Sequence, residues 1–132
     1  MITSSMKMRT YPFNPSDQST SMMAFNFRKV SFPTLEGKII IRPQDIAYFK
    51  SDDIYCYLHE TNGQIHFVSK ALKWVEARLS SHAFLRIHRS HYINIENIIG
   101  YKKEDGGYLK MENGQYVPIA RSKRHLIHEL IA

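Results

Sequence analysis

The stretch FLRIHRSHYINI, residues 84–95, sets a dense run of polar side chains between two apolar segments. The apolar segments predict strands, and the polar run His88–His91 between them is expected to be a loop anchored at each end. An anchored loop can present the planar donor fork of Arg89 to guanine O6 and N7 in a major groove. The side chains that would then reach phosphates are His88, Ser90 and Arg86. The alternative interpretation is a polar strand crossing the surface, with Asn94 capping a turn.

Turn residues outward from this stretch indicate further β structure. Asn-Gly pairs at residues 62–63 and 113–114 each separate two alternating runs, which predicts two β-hairpins. In the first hairpin Leu58 is expected to pair with Phe67. The acidic residues 52–53 interrupt another run and predict a loop or bulge. The other predicted strands cover residues 25–32, 39–41, 46–50 and 98–102, with a turn between the first two.

Two segments carry apolar residues at helical spacing. Leu72, Val75 and Leu79 predict a helix over residues 70–79, with Ser69 as its cap. A last helix, capped by Ser122, is expected to carry on one face Leu126, Ile127, Leu130 and Ile131. The predicted fold class is therefore a mostly β domain with two short α-helices.

Length and composition limit the molecule to one domain. The chain has 132 residues, a mass of 15.5 kDa and 43% hydrophobic residues, which allows one modest core. Residues 1–25 hold five of the six methionines and no sustained apolar period, which predicts a flexible tail or linker before a compact domain over residues 26–132. Because no apolar run is long enough for a secretory signal or a transmembrane helix, a cytoplasmic protein without a membrane partner is expected.

The charge balance favours an anionic polymer as partner. Eighteen Lys and Arg against twelve Asp and Glu give a net charge of +6 and a pI of about 9.5, which favours nucleic acid. Cations gather just before the last helix, in the run RSKRH at residues 121–125. Because a helix N-terminus is already positive, cations gathered there are unfavourable unless an anion lies nearby. A DNA phosphate could be that anion, bound by Ser122, Lys123 and Arg124. The alternative is a solvated basic face.

Metal and catalytic chemistry have weaker support in the residues. The histidine pairs 88/91 and 125/128 have a spacing found in metal sites, but one cysteine and the single nearby acid Glu129 do not complete a zinc ligand set. Ser90 beside His91 would suit a small hydrolase, yet no glycine-rich elbow or orienting carboxylate accompanies it. We therefore predict no enzyme activity, no metal and no cofactor.

The tyrosines support an alternative mode of binding. There are eight of them, and bases of a single strand can stack on aromatic side chains of an exposed sheet face. The residues that would form such a face are Tyr55, Tyr57, His59 and His66. Tyrosine is also a common strand residue that covers half-buried sheet surface. Single-stranded nucleic acid therefore stays as the alternative partner to a duplex.

Taken in chain order, these segments resemble the LytTR DNA-binding domain. The spacing Phe-x-Arg-x-His-x-Ser-x-x-x-Asn at residues 84–94 is followed by GGY at residues 106–108 and VPIARS at residues 117–122. Supporting segments are LEG at 35–37, DIAY at 45–48, NG at 62–63 and VSKALK at 68–73. The resemblance covers about residues 26–132.

The resemblance implies an elongated β domain whose loops at one edge enter successive major grooves of duplex DNA. Base contacts would come from Arg89, from Arg121 and, in the loop near Asp53, from Tyr55. Contacts to the DNA backbone would come from His88, Ser90, Arg86, Ser122, Lys123 and Arg124. Asn94 would be structural.

Members of this family usually form the output half of bacterial two-component response regulators that control transcription. A receiver domain, controlled by a sensor kinase, normally precedes the module, and residues 1–25 are too few to form one. The resemblance therefore implies either a longer parent protein or a short regulator with the output domain alone. A second copy bound to repeated half-sites one helical turn apart would be natural for so small a domain.

Overall fold

The computed structural model describes residues 29–132, and in this range the chain forms ten strands and two α-helices. The strands are β1 (Val30–Pro33), β2 (Lys38–Ile41), β3 (Ile46–Asp52), β4 (Tyr55–Glu60), β5 (Ile65–Val68), β6 (Phe84–His88), β7 (His91–Asn94), β8 (Ile98–Lys102), β9 (Tyr108–Met111) and β10 (Tyr116–Pro118). The helices are α1 (Leu72–Arg78) and α2 (Arg124–Ile131). The predicted mostly β class is confirmed. The predicted tail, residues 1–25, and the start of the first predicted strand, up to residue 28, lie outside the described residues.

The strands form three sheets, and β3 is the centre of the largest. The strand orders are β1-β2, β10-β9-β8 and β5-β4-β3-β7-β6. Lys50 of β3 pairs with Tyr57 of β4 on one side and with His91 of β7 on the other, both antiparallel. Because β3 and β4 are joined at one end and β6 and β7 are joined at the same end, two hairpin tips lie side by side.

The first Asn-Gly segment forms a hairpin turn as predicted, but its register differs from the prediction. The Glu60 N–H donates to the Gln64 carbonyl oxygen at 2.8 Å, which leaves three residues in the loop. The prediction assumed the two-residue loop that is commonest for Asn-Gly. The extra residue shifts the register by one, so that Leu58 pairs with His66. The predicted pair of Leu58 with Phe67 is wrong for this reason.

The central strand is buried on both faces because its alternate side chains enter two different cores. Phe49 lies against Phe32, with ring centroids 5.1 Å apart, in the core that α1 covers. On the other face Tyr48 joins a cluster that includes Ile93 of β7 and the fully buried Ile127 of α2. This second cluster holds the three-stranded sheet and α2 against the large sheet. Burial on both faces holds residues 46–49 in place, whereas residues 50–52, at the end of β3 that carries the hairpin tip, are exposed or half-buried.

The helix caps differ from the prediction. Ala71, not Ser69, is the N-cap of α1; Ser69 lies two residues earlier, in the bend after β5, where its N–H donates to the Pro33 carbonyl oxygen at 3.0 Å. Ser122 does not cap α2; it lies inside a 3₁₀ turn, residues 121–123, and the cap position is Lys123 without a side-chain bond. The serines are therefore ordinary backbone positions in these two segments.

The last helix buries less of its apolar face than predicted. Ile127 is fully buried, whereas Leu126 and Leu130 are 37% and 45% exposed. A single side chain thus anchors α2 to the core.

Asn94 has the structural role that the sequence indicated. It is buried, its amide donates to the carbonyl oxygens of Pro43 and Ile46 at 3.2 and 3.0 Å, and its side-chain oxygen accepts from the Glu96 N–H at 3.1 Å. It caps the short 3₁₀ turn that follows β7.

Candidate nucleic-acid interface

The polar run of residues 88–91 forms the tip of the β6–β7 hairpin. Arg89 and Ser90 form the turn, and the Arg89 side chain is exposed. Arg86 points its guanidinium back into the hairpin, where Nε donates to the His88 carbonyl oxygen at 3.0 Å and Nη2 donates to the Arg89 carbonyl oxygen. Its Nη1 forms an ion pair with Glu76 of α1. The tip is therefore braced from inside while Arg89 projects outward.

Ser90 connects two histidines within the same tip. Its hydroxyl oxygen lies 2.8 Å from Nδ1 of His88 and 2.8 Å from Nδ1 of His91. Burial, with smaller contributions from the charges of His88, Lys50 and His59, lowers the pKa of His91 to about 4, so His91 is neutral at pH 7. A neutral His91 that donates to Ser90, which in turn donates to His88, satisfies all three groups. Nδ1 of His88 and the Ser90 hydroxyl are used within this network. The predicted contacts of His88 and Ser90 with phosphate would therefore need other polar atoms of these residues.

The adjacent tip, between β3 and β4, is the loop that the acidic pair predicted. Asp53 adopts φ 57°, in the left-handed region that aspartate tolerates better than most residues. Tyr55, which follows this turn, is 40% exposed, and the neighbouring Ile54 is 62% exposed. The tip therefore presents a tyrosine and an isoleucine to the outside.

Two backbone hydrogen bonds join the three segments predicted to contact DNA. The Ser51 N–H donates to the Ser90 carbonyl oxygen at 2.9 Å and ties the two hairpin tips together. The Ala120 N–H donates to the Ile87 carbonyl oxygen at 2.8 Å and ties the start of the 121–123 turn to the same end of β6. Segments far apart in sequence thus meet at one end of the large sheet.

The basic turn before α2 exposes some cations and packs another. Arg121 and Ser122 are exposed, and Lys123 is half-buried. No acidic residue lies in the first turn of α2. The Arg124 guanidinium lies directly against Gly106, where a Cβ would clash with Nη2 unless the arginine moved, and among the described residues its Nε has no hydrogen-bond partner.

The four side chains considered for stacking bases do not share one face. Tyr55, Tyr57 and His59 alternate onto the same face of β4. His66 is opposite the buried Leu58 and lies on the other face, where its Nε2 contacts the Glu60 carboxylate. Burial, followed by the Lys50 charge, lowers the pKa of His59 to about 4. This face therefore keeps three of the four side chains, and the His59 ring is stacked on Tyr48, with ring centroids 4.3 Å apart.

Residues 29–132 offer little support for a metal site, a membrane span or a catalytic triad. No group of three or more potential metal ligands occurs in that range. None of the helices in that range has the length and apolar character needed to cross a membrane. Ser90 does contact two histidines, but the hydrogen bonds of this range link neither histidine to a carboxylate.

Sequence reasoning missed three participants in this end of the molecule. They are Glu76, Ser51 and Gly106. Glu76 gave no signal, because an acid on a helix surface is ordinary until its partner is known. Ser51 acts through its backbone, which side-chain patterns do not report. Gly106 belongs to the GGY segment, but its contact with Arg124 depends on how α2 packs.

Comparisons with known proteins agree with this geometry. A family model for the LytTr DNA-binding domain matches residues 36–132. The CO-responsive transcriptional regulator RcoM of Rhodospirillum rubrum is 32% identical over 108 residues, covering 80% of this chain and 45% of that protein. An uncharacterised response regulatory protein of Vibrio cholerae is 26% identical, covering 66% of this chain and 35% of that protein. A solved LytTr DNA-binding domain from Bacillus cereus has a TM-score of 0.66 at 23% identity, covering 81% of this chain and 99% of that chain.

Fold and family match define a class of DNA-binding domain. The chain belongs to the LytTR family of DNA-binding domains. It spans less than half the length of the curated relatives reported above. DNA is thus the partner that its family indicates.

Proposed function

We propose that this domain binds duplex DNA sequence-specifically and regulates transcription without catalysing a reaction. The observation that carries the proposal is the meeting of three exposed segments at one end of the large sheet, joined by the Ser51–Ser90 and Ala120–Ile87 hydrogen bonds. Projecting segments held rigidly to one another suit the successive grooves of a duplex, which recur on one face with each helical turn. The net charge of +6 supplies the long-range attraction to phosphates.

Each segment has a defined task in this proposal. Arg89 and Arg121 carry exposed planar donor forks that match guanine O6 and N7, and Tyr55 contacts a base from the third segment. The residues that hold phosphates are His88, Ser90, Ser122, Lys123 and Arg124. Arg86 is left out of this set, because its guanidinium already bonds the tip carbonyls and Glu76.

The regulatory context follows from the relatives. A response regulatory protein and a CO-responsive transcriptional regulator both match this domain over part of their length. We propose that the domain is the output module of a cytoplasmic bacterial regulator. A receiver domain with its sensor kinase is one such context, and a short regulator is the other. Binding as two copies on repeated half-sites would double the contact surface of this small module.

The experiment compares Arg89→Ala with the matched variant Arg42→Ala. Arg42 lies just before β3, at the opposite end from the tips, and pairs with Asp45. Arg89→Ala should cost about 1 to 3 kcal/mol on the preferred duplex and relax the preference at one base pair. Arg42→Ala should leave the ranking of duplexes unchanged. An unchanged ranking in Arg89→Ala would contradict the role given to Arg89.

Competition with unlabelled single strands separates duplex binding from stacking on the β4 tyrosines. The proposal predicts that a single strand displaces the preferred duplex weakly and that Tyr57→Ala retains duplex affinity. The stacking mode would be favoured if single strands displaced the labelled duplex at a lower concentration than unlabelled duplex does, and if Tyr57→Ala lost affinity.

A further inference from the structure

We infer that Glu76 and Arg86 form a brace that positions the β6–β7 tip, and with it Arg89, for contact with a base. The inference rests on the proposed function, since it concerns how the same tip discriminates sequences. Arg86 lies on β6 and Glu76 lies on α1, so the brace joins the hairpin tip to a helix outside the hairpin.

The Arg86 guanidinium forms three bonds, two to carbonyl oxygens of the tip and one to the Glu76 carboxylate. Nε donates to the His88 carbonyl oxygen at 3.0 Å, and Nη2 donates to the Arg89 carbonyl oxygen. Nη1 binds the Glu76 carboxylate. Because the guanidinium is planar and rigid, these partners hold two consecutive peptide groups of the tip in one orientation relative to α1. The backbone from which the Arg89 side chain projects is therefore fixed before DNA binds.

Burial supports a positioning role over a phosphate contact. The side chains of Arg86 and Glu76 are only 34% and 31% exposed, whereas Arg89 is exposed. A phosphate bound by Arg86 would have to compete with the tip carbonyls and the carboxylate for the same donors. Holding the tip in place reduces the conformational freedom lost when Arg89 docks on a base.

Removal of the Glu76 charge distinguishes the brace from a general electrostatic effect. The two predict opposite changes in affinity for the preferred duplex. If Glu76 acted only through the overall field, its loss would make the domain more positive and tighten binding to every DNA. If Glu76 holds Arg86, its loss weakens binding to the preferred duplex and leaves random duplex binding at least as strong.

The test measures binding of Glu76→Gln to the preferred duplex and to a scrambled duplex of equal length. We expect a loss of about five- to tenfold on the preferred duplex, because the glutamine amide can replace the charge-assisted bond only with a weaker neutral one, and no loss on the scrambled duplex. The dependence of affinity on salt should keep its slope, since no phosphate contact is removed. Glu96→Gln is the matched control: it removes the same charge from an exposed residue beyond the other end of β7 and should not weaken preferred binding.

Two further variants show whether the effect passes through the tip. In an Arg89→Ala background, Glu76→Gln should have no additional effect on the preferred duplex, because the side chain that the brace positions is gone. Arg86→Lys keeps the charge but not the planar fork, so it should lower preferred binding, whereas a phosphate contact would tolerate the change.

Unchanged or tighter preferred binding by Glu76→Gln, or full affinity in Arg86→Lys, would overturn the brace. Failure of the proposed function would look different, because the unaltered protein would then prefer no duplex sequence at all.

Discussion

Single side chains at the candidate interface divide into those that project and those that hold the projecting ones. Arg89 and Arg121 are exposed, while His91 and Arg86 are buried or half-buried in the same tip region. Residue type and position in the sequence predicted that Arg89 projects, whereas the base contact of Arg121 came from the family resemblance, and both base contacts stay predictions. The partners of Arg86 could not be predicted, because the contact with Glu76 joins a helix to a strand and depends on tertiary packing.

Lys123 provides a prediction about charge rather than sequence preference. Lys123→Ala should weaken binding to all duplexes by a similar factor, because an ammonium contacts phosphate without sensing the base. The plot of log affinity against log salt should become shallower by about 0.9. Lys38→Ala, which removes an exposed lysine from β2, is the control and should keep the slope. A change in base preference with an unchanged slope would contradict this role.

His91 provides a prediction about pH and stability. Burial lowers its pKa from 6.5 to about 4, so between these values the unfolded chain binds a proton that the folded chain does not. The free energy of unfolding should therefore fall as pH is lowered through this window, by up to about 3 kcal/mol for this group.

Urea unfolding between neutral and acid pH measures this effect in His91→Gln, which should show a smaller fall than the unaltered protein. His125→Gln is the control, since the His125 side chain is 88% exposed. Equal falls in the unaltered protein and in His91→Gln would show that His91 does not titrate as described.

At the level of strands and helices, the sequence predicted which elements form better than how they pair or begin. Alternating runs and Asn-Gly turns located the hairpins, because these signals are local. The predicted register of the β4–β5 hairpin was wrong by one residue, because Asn-Gly occurs in three-residue loops as well as in two-residue loops. The predicted caps at Ser69 and Ser122 are wrong because Ser69 lies in the bend after β5, two residues before the observed cap, and Ser122 lies inside a 3₁₀ turn.

The anchoring of α2 gives a prediction with an adjacent control. Ile127→Ala should lower the free energy of unfolding by about 2 to 5 kcal/mol, because Ile127 is fully buried in the second core. Leu126→Ala changes the neighbouring residue, which is 37% exposed, and should cost less than about 1 kcal/mol. Urea unfolding measures both values. Similar losses in the two variants would show that the helix is held along its whole apolar face.

For residues 29–132 as a whole, the main gain of the structure over the sequence is the convergence of three distant segments. The spacing of residues in the sequence does not predict that residues 51, 90 and 120 lie near one end of a sheet. The strand order and two backbone hydrogen bonds place them there. The family resemblance implied loops at one edge, and two backbone hydrogen bonds keep these loops together.

Binding as two copies gives a prediction about DNA geometry. Two preferred motifs placed one helical turn apart, about 10 to 10.5 base pairs between centres, put both copies on one face of the duplex. Two copies should bind such a probe more tightly than a probe with about five extra base pairs between the motifs. Gel-shift titration of both probes compares them, and equal two-copy affinity would argue against contact between the copies.

The most direct test of the central claim is selection from a random duplex library by the full chain at near-physiological salt, where electrostatic background binding is weak. Sequence-specific duplex binding predicts enrichment of a defined motif whose base preference at one position is lost in Arg89→Ala. Recovery of unrelated sequences, bound weakly and only at low salt, would contradict it.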